Sequence, residues 1–231
     1  MQPNRSGPDA SPVNPLPPYV WALFLIVAGI EVAFSAGAAG LAGGPGAVGW
    51  RLEALQSYAF SGDVFDWMLA NNQYPAEHMI RFVTYAFVHG SFTQAAFASV
   101  MLLALGKMVG EVFGALPTLA VFFGSSIAGA VAFGLLTNDP VLIGAFPAVY
   151  GLIGAFTYLL WVKLAATGQN RSGAFSLIGM LMGIQLVFSV IFPGGGKDWV
   201  ADLAGFVAGF AISLLVNPGS WHRIRAKLRR D

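Results

Sequence analysis

Six apolar stretches, at about residues 19–41, 81–105, 116–136, 147–165, 175–192 and 199–216, take up most of the chain. A bilayer's hydrocarbon core is about 30 Å thick and takes about 20 helical residues to cross. Inside it each backbone N–H and C=O must be satisfied without water, which leaves helices or closed barrels. At that length each stretch reads as one spanning helix, so together they predict an all-α polytopic membrane protein, a bundle of six transmembrane helices. Composition agrees: 56% of residues are hydrophobic and 10% are charged, against about 25% charged in a soluble domain.

The same sparse charge narrows the chemistry. Twelve Lys and Arg against eleven Asp and Glu leave a net charge of +1, too little for a face that binds a nucleic-acid backbone. The absence of cysteine excludes disulfides, iron–sulfur clusters, thiolate zinc sites and cysteine nucleophiles. His78, His89 and His222 are scattered, without metal-ligand spacing. The expected partners are the lipid bilayer and other integral membrane proteins, with no cofactor and no metal.

Residues 1–18 are polar and rich in Pro and Gly, which predicts a disordered tail because little apolar surface offsets chain entropy. Residues 19–217 form the expected membrane domain. Within it, residues 42–80 mix Trp50, Tyr58, Phe65 and Trp67 with Arg51, Glu53, Asp63 and Asp66, a pattern that rests in the membrane interface. Residues 218–231 are a basic tail in which Trp221, Ile224 and Leu228 share one helical face. Six crossings put both termini on one side. Arg5, Lys107, Lys163, Arg171, Arg223, Arg225, Lys227, Arg229 and Arg230 fall on that side, and Arg51, Arg81 and Lys197 on the other. That asymmetry places the termini in the cytoplasm. No internal repeat of the kind found in inverted-repeat transporters is present.

Three segments carry a family resemblance. Arg81 to Ser91 reads Arg-Phe-Val-Thr-Tyr-Ala-Phe-Val-His-Gly-Ser; Gly144 to Gly154 reads Gly-Ala-Phe-Pro-Ala-Val-Tyr-Gly-Leu-Ile-Gly; Ala201 to Gly209 reads Ala-Asp-Leu-Ala-Gly-Phe-Val-Ala-Gly. In order and spacing these resemble the start of the second span, the nucleophile segment and the start of the sixth span of the rhomboid intramembrane serine proteases. The resemblance covers about residues 19–216 and implies the six-helix rhomboid bundle. The compact form resembles bacterial rhomboids and implies a bacterial inner membrane.

The departures gather where the chemistry belongs. In rhomboids a serine attacks the peptide carbonyl and a histidine takes its proton, the nucleophile-and-base logic of serine proteases. By the resemblance Phe146 occupies the serine position and Asp202 the histidine position. Pro147 replaces the glycine after the serine and removes a backbone N–H from the oxyanion side. The family's oxyanion-side pattern on the second span reads His89, Gln94 and Ala98, and its Trp-Arg pair reads Ile80-Arg81. The resemblance with these departures implies a pseudoprotease, not an enzyme, which binds transmembrane segments of clients as adaptor, chaperone or assembly subunit, as pseudorhomboids and derlins do.

Each of these residues also has a plain structural reading. Pro147 suits the first turn of a helix, and Phe146 fills the space of an active site. Gly205 and Gly209 are notches for close helix packing. Glu31, Arg81, His89 and Asp202 are the candidate polar or client-contacting residues. Glu31, mid-span with no cation nearby in sequence, must be protonated or hydrogen-bonded within the bundle, and His89 is placed to pair with Asp202. Two other functions remain open at the level of sequence. One is a protease with a displaced nucleophile such as Ser91, Ser99, Ser125 or Ser126. The other is a proton or cation path through Glu31, His89 and Asp202.

Overall fold

A computed structural model describes residues 15–191 and 196–216. The expected tail at 1–14, the loop residues 192–195 and the basic tail from 217 onward lie outside the described residues. Ten helices occur among those described: α1 (Pro18–Ala38), α2 (Trp50–Tyr58), α3 (Gly62–Asn71), α4 (Ala76–Met79), α5 (Arg81–Thr84), α6 (Phe92–Phe113), α7 (Ala115–Leu136), α8 (Phe146–Ala166), α9 (Ser176–Ile191) and α10 (Asp198–Val216). Five of them, α1, α6, α7, α8 and α10, are long and apolar enough to cross a membrane. The architecture is an all-α membrane bundle.

The sixth crossing follows from how the others pack. Gly205 of α10 lies on the Pro147 carbonyl of α8, and Gly209 lies on the carbonyl of Gly151. Both helices therefore advance in the same direction. A chain that leaves one end of α8 and starts the parallel α10 at the other end must cross back between them. Only α9 can carry that return. Its 16 residues span about 24 Å at 1.5 Å per residue, short for a hydrocarbon core of about 30 Å.

α8 is the centre of the bundle. Along it Ala148, Val149, Leu152, Ile153 and Ala155 are fully enclosed by Leu102 and Val109 of α6, Val121 and Phe122 of α7, and Phe206 of α10. Small residues set the approach of its neighbours. A Cβ on Gly209 would stand 2.0 Å from the Gly151 oxygen, and one on Gly205 would stand 2.1 Å from the Pro147 oxygen. With only lipid tails competing, such backbone-to-backbone contact is what associates helices in a bilayer.

The second expected span is not one helix. Its first part is α5 followed by a 3-10 turn at Tyr85–Phe87, and Val88 is extended at φ −108° and ψ 125° before α6 begins at Phe92. Ser91 caps α6 by accepting the Gln94 N–H, and the Gln94 side-chain oxygen accepts the Gly90 N–H at 2.8 Å. This reciprocal arrangement is a capping box shifted by one residue, and it starts a new helix inside an apolar run. Pro147, expected to open its helix, sits one residue inside it, after Phe146 with Ala145 as N-cap.

Residues 42–80 fold down onto one end of the bundle. Phe60, Phe65 and Met68 are buried with Phe82, Tyr85 and Phe133 in a second core, and Phe65 fills the notch left by Gly134 of α7. Phe60 and Ser61 form a short strand β1 that pairs antiparallel with β2 (Val141–Leu142), in register Phe60 with Leu142. Residues 42–80 are thereby tied to the segment that leads into α8.

Candidate functional site

The loop before α8 is held by the segment before α6. Gly144 has φ +89°, a left-handed conformation that glycine adopts without strain, and its N–H donates to the Tyr85 carbonyl at 2.9 Å. Its missing side chain matters as well, since a Cβ there would stand 3.0 Å from Gln94 Nε2 and 3.3 Å from His89 Cδ2. The next residue, Ala145, donates its N–H to His89 Nε2 at 3.2 Å. A ring nitrogen that accepts carries no proton, so His89 is a neutral imidazole protonated at Nδ1. Burial lowers its pKa to about 4, outweighing the pull of Glu31 in the other direction. The histidine fixes the start of α8.

Phe146 is the first residue of α8, half-buried and packed on the main core. It carries no nucleophilic atom. Ala98 is fully buried among apolar neighbours, and the Gln94 side-chain oxygen is engaged in the α6 cap. Asp202, on the second turn of α10, is 3% exposed. Its Oδ2 accepts from Gln185 Nε2 of α9 at 2.8 Å, while its Oδ1 has no partner.

The structure separates residues that the sequence grouped together. His89 is bound to Ala145 and Asp202 to Gln185, so the expected His89–Asp202 pair is not formed. Glu31 belongs to a third cluster. Arg51 grips both of its oxygens, at 2.6 and 2.9 Å, and donates a further bond to the His89 carbonyl at 2.7 Å, while Ser35 donates to the same carboxylate at 3.2 Å. The guanidinium also lies over the Phe34 ring at 5.1 Å. Glu31 is therefore in an ion pair with the 42–80 segment. Arg81 binds elsewhere, donating to the Ala59 carbonyl at 3.3 Å.

Sequence reasoning missed two partners. Arg51 was one interfacial residue among several, and only folding of the loop onto α1 brings it to Glu31. Gln185 carried a signal, being an amide within the apolar stretch 175–192, where polar groups are costly and usually paired. Among the described residues no group of three or more His, Asp or Glu could hold a metal ion. The polar groups that meet the starts of α8 and α10, His89 and Asp202, can hydrogen-bond and hold a proton, while Phe146 presents a phenyl ring.

Comparison with known proteins identifies the family. A family model described as Rhomboid domain matches residues 76–218, more than half of the chain. A Bacillus subtilis protein named "Putative rhomboid protease YdcA" is 27% identical over 138 residues, 58% of this chain and 66% of the relative. An Arabidopsis thaliana protein named "RHOMBOID-like protein 7" is 26% identical over 116 residues, 49% of this chain and 36% of the relative. The chain thus matches just under two thirds of the first relative and about a third of the second.

Proposed function

The chain belongs to the rhomboid family, and from that premise we propose that it is a non-catalytic member that binds transmembrane segments of other membrane proteins, as adaptor, chaperone or assembly subunit. One observation carries the reading. The residue at the serine position, Phe146, has no atom that can attack a carbonyl, and the residue at the histidine position, Asp202, has its carboxyl turned to Gln185. Losing an oxyanion donor lowers a rate, by about 10²–10³ in one well-studied protease, but losing the nucleophile removes the covalent route itself.

A displaced nucleophile has little to support it. Ser91 is the N-cap of α6, Ser99 is buried within α6, Ser126 donates to the Phe122 carbonyl, and Ser125 is enclosed against Gly151 of α8. Each lacks a base within hydrogen-bonding distance, the first geometric requirement for activating a hydroxyl. A path for protons or cations through Glu31, His89 and Asp202 is likewise disfavoured, because Glu31 is neutralised by Arg51 and His89 is occupied by Ala145.

Purified protein in liposomes should not cleave rhomboid substrates and should not react with fluorophosphonates. The double substitution Phe146→Ser with Asp202→His should remain unlabelled, because Pro147 still lacks an N–H and Ala98 still lacks an amide. A photo-crosslinker at position 146 in native membranes should capture transmembrane segments of identifiable membrane proteins, more than one at lipid-facing Phe97. Labelling of the unaltered protein at a serine would overturn the non-catalytic reading. Equal capture from both positions would overturn the binding site.

A further inference from the structure

Asp202 and Gln185 share one hydrogen bond, and each keeps one buried oxygen without a partner: Oδ1 on the carboxyl and Oε1 on the amide. Both orphans are acceptors. An ionised carboxylate and an amide carbonyl offer lone pairs only, so neither can satisfy the other. A neutral carboxylic acid and a primary amide, in contrast, are complementary. The amide N–H gives to one carboxyl oxygen, and the acid O–H gives to the amide oxygen, closing a ring of two hydrogen bonds. The terminal torsions of Asp and Gln are broad and soft, so each group can turn about the hydrogen bond they already share.

The surroundings favour a proton over a counter-ion from the protein. Asp202 takes part in no ion pair among the described residues. The charged group nearest along its own helix is Asp198, of the same sign, and Tyr150 of α8 and Tyr85 are the other titratable groups within electrostatic reach. Neither α7 nor α9 contains a titratable residue, and Lys163 of α8 lies at the far end of that helix. A carboxylate here would be buried beside a carbonyl oxygen with no cation, a costly state in a medium of low dielectric.

We propose that Asp202 and Gln185 form a proton-binding site, in which one proton on the Asp202 carboxyl closes the pair with the Gln185 amide and ties α9 to α10. The proton moves from water to Oδ1, and no other bond changes. The tie matters because of where it sits. Leu177, Ile178, Leu181 and Met182 hold the first half of α9 on the core, and Gln185 continues the same face one turn on. Without the proton, that polar contact weakens to a single bond beside two repelling oxygens. The inference stands whether or not the chain binds clients.

The absence of cysteine makes a single reporter on α9 unambiguous. Ile184→Cys, at an exposed position, carries a spin label, and the protein is studied in liposomes across a pH series by spin-label mobility and infrared spectroscopy. The expected result is a carboxylic C=O band that is lost as pH rises while the label becomes more mobile. Asp202→Asn should abolish the band and keep the label immobile at all pH values, because two amides pair without a proton. Gln185→Leu should shift the band to higher frequency and leave the label mobile throughout; that shift assigns the band if Asp202→Asn fails to insert. A band that persists to the highest pH with an immobile label supports the same pair, holding its proton more tightly. Absence of any such band in folded protein, an unchanged pH response in Asp202→Asn, or a response to sodium or potassium at fixed pH would overturn the proposal.

Discussion

A carboxylate within an apolar helix is tolerated when a cation reaches it, and Glu31 shows how far along the chain that cation can lie. Arg51, 20 residues on, binds both of its oxygens, so α1, the 42–80 segment and the His89 carbonyl meet at one guanidinium. The two halves of the pair are not equivalent. The Glu31 side chain is 6% exposed and that of Arg51 is 24% exposed, so only Arg51 can turn to water when its partner is lost. Arg51→Ala should therefore destabilise the protein by on the order of 3 kcal/mol, the cost of stranding a buried charge. Glu31→Gln should cost about 1 kcal/mol, because it removes the charge and keeps the shape. Denaturation by SDS in mixed micelles measures both. Equal effects would mean that the pair is held in water and that the loop does not depend on it. Nothing in the sequence distinguished Arg51 from Arg81 as the partner, because the choice is made by a loop that folds back onto the bundle.

Among the elements, glycine has two opposite meanings. Gly205 and Gly209 of α10 press against the α8 backbone, whereas Gly179 and Gly183 of α9 have nothing within 4 Å of an added Cβ. Gly209→Ala must push α10 away from the Gly151 carbonyl, and overpacking of this kind costs about 1–3 kcal/mol. Gly183→Ala should be neutral or stabilising by up to about 1 kcal/mol, since alanine is the better helix former. The same unfolding assay separates them, and a Gly183→Ala variant as damaged as Gly209→Ala would show that α9 packs against a further surface. The spanning helices were legible from apolar length alone, whereas α2, α3 and α4 were not. The break before α6 was not, although Ser91 and Gln94 spell a cap, because hydropathy averages across Val88, His89 and Gly90 without registering their hydrogen bonds. The β1–β2 pairing was also out of reach, since it joins Phe60 to Leu142 and no local pattern links segments so far apart.

For the molecule as a whole, the direction of each crossing is set by contacts that charge counting never used. Parallel packing of α8 and α10 through Gly151 and Gly209 requires a return between them, which makes α9 a crossing despite its 16 residues and brings the number to six. At one end of the bundle Arg51 meets Glu31 and His89, β1 meets β2, and Asp139 accepts from the Lys197 N–H. At the other end Tyr19 donates to the Gly110 carbonyl. Both termini of the spanning region, at Pro18 and Val216, belong to this second end. The positive residues sort in the same way: nine of the twelve Lys and Arg lie on the terminal side by sequence. Positive charge is retained on the cytoplasmic face, so the end that carries residues 39–91, 137–145 and 196–197 should face outward. A reporter active only in the cytoplasm should therefore work when fused after residue 231 and fail when inserted near Gly195, with the converse for one active only outside. A terminal fusion that reports the outer side would require an odd number of crossings or a reversed bundle. An odd number contradicts the parallel packing of α8 and α10, and a reversed bundle would set nine positive charges against the rule that orients the chain.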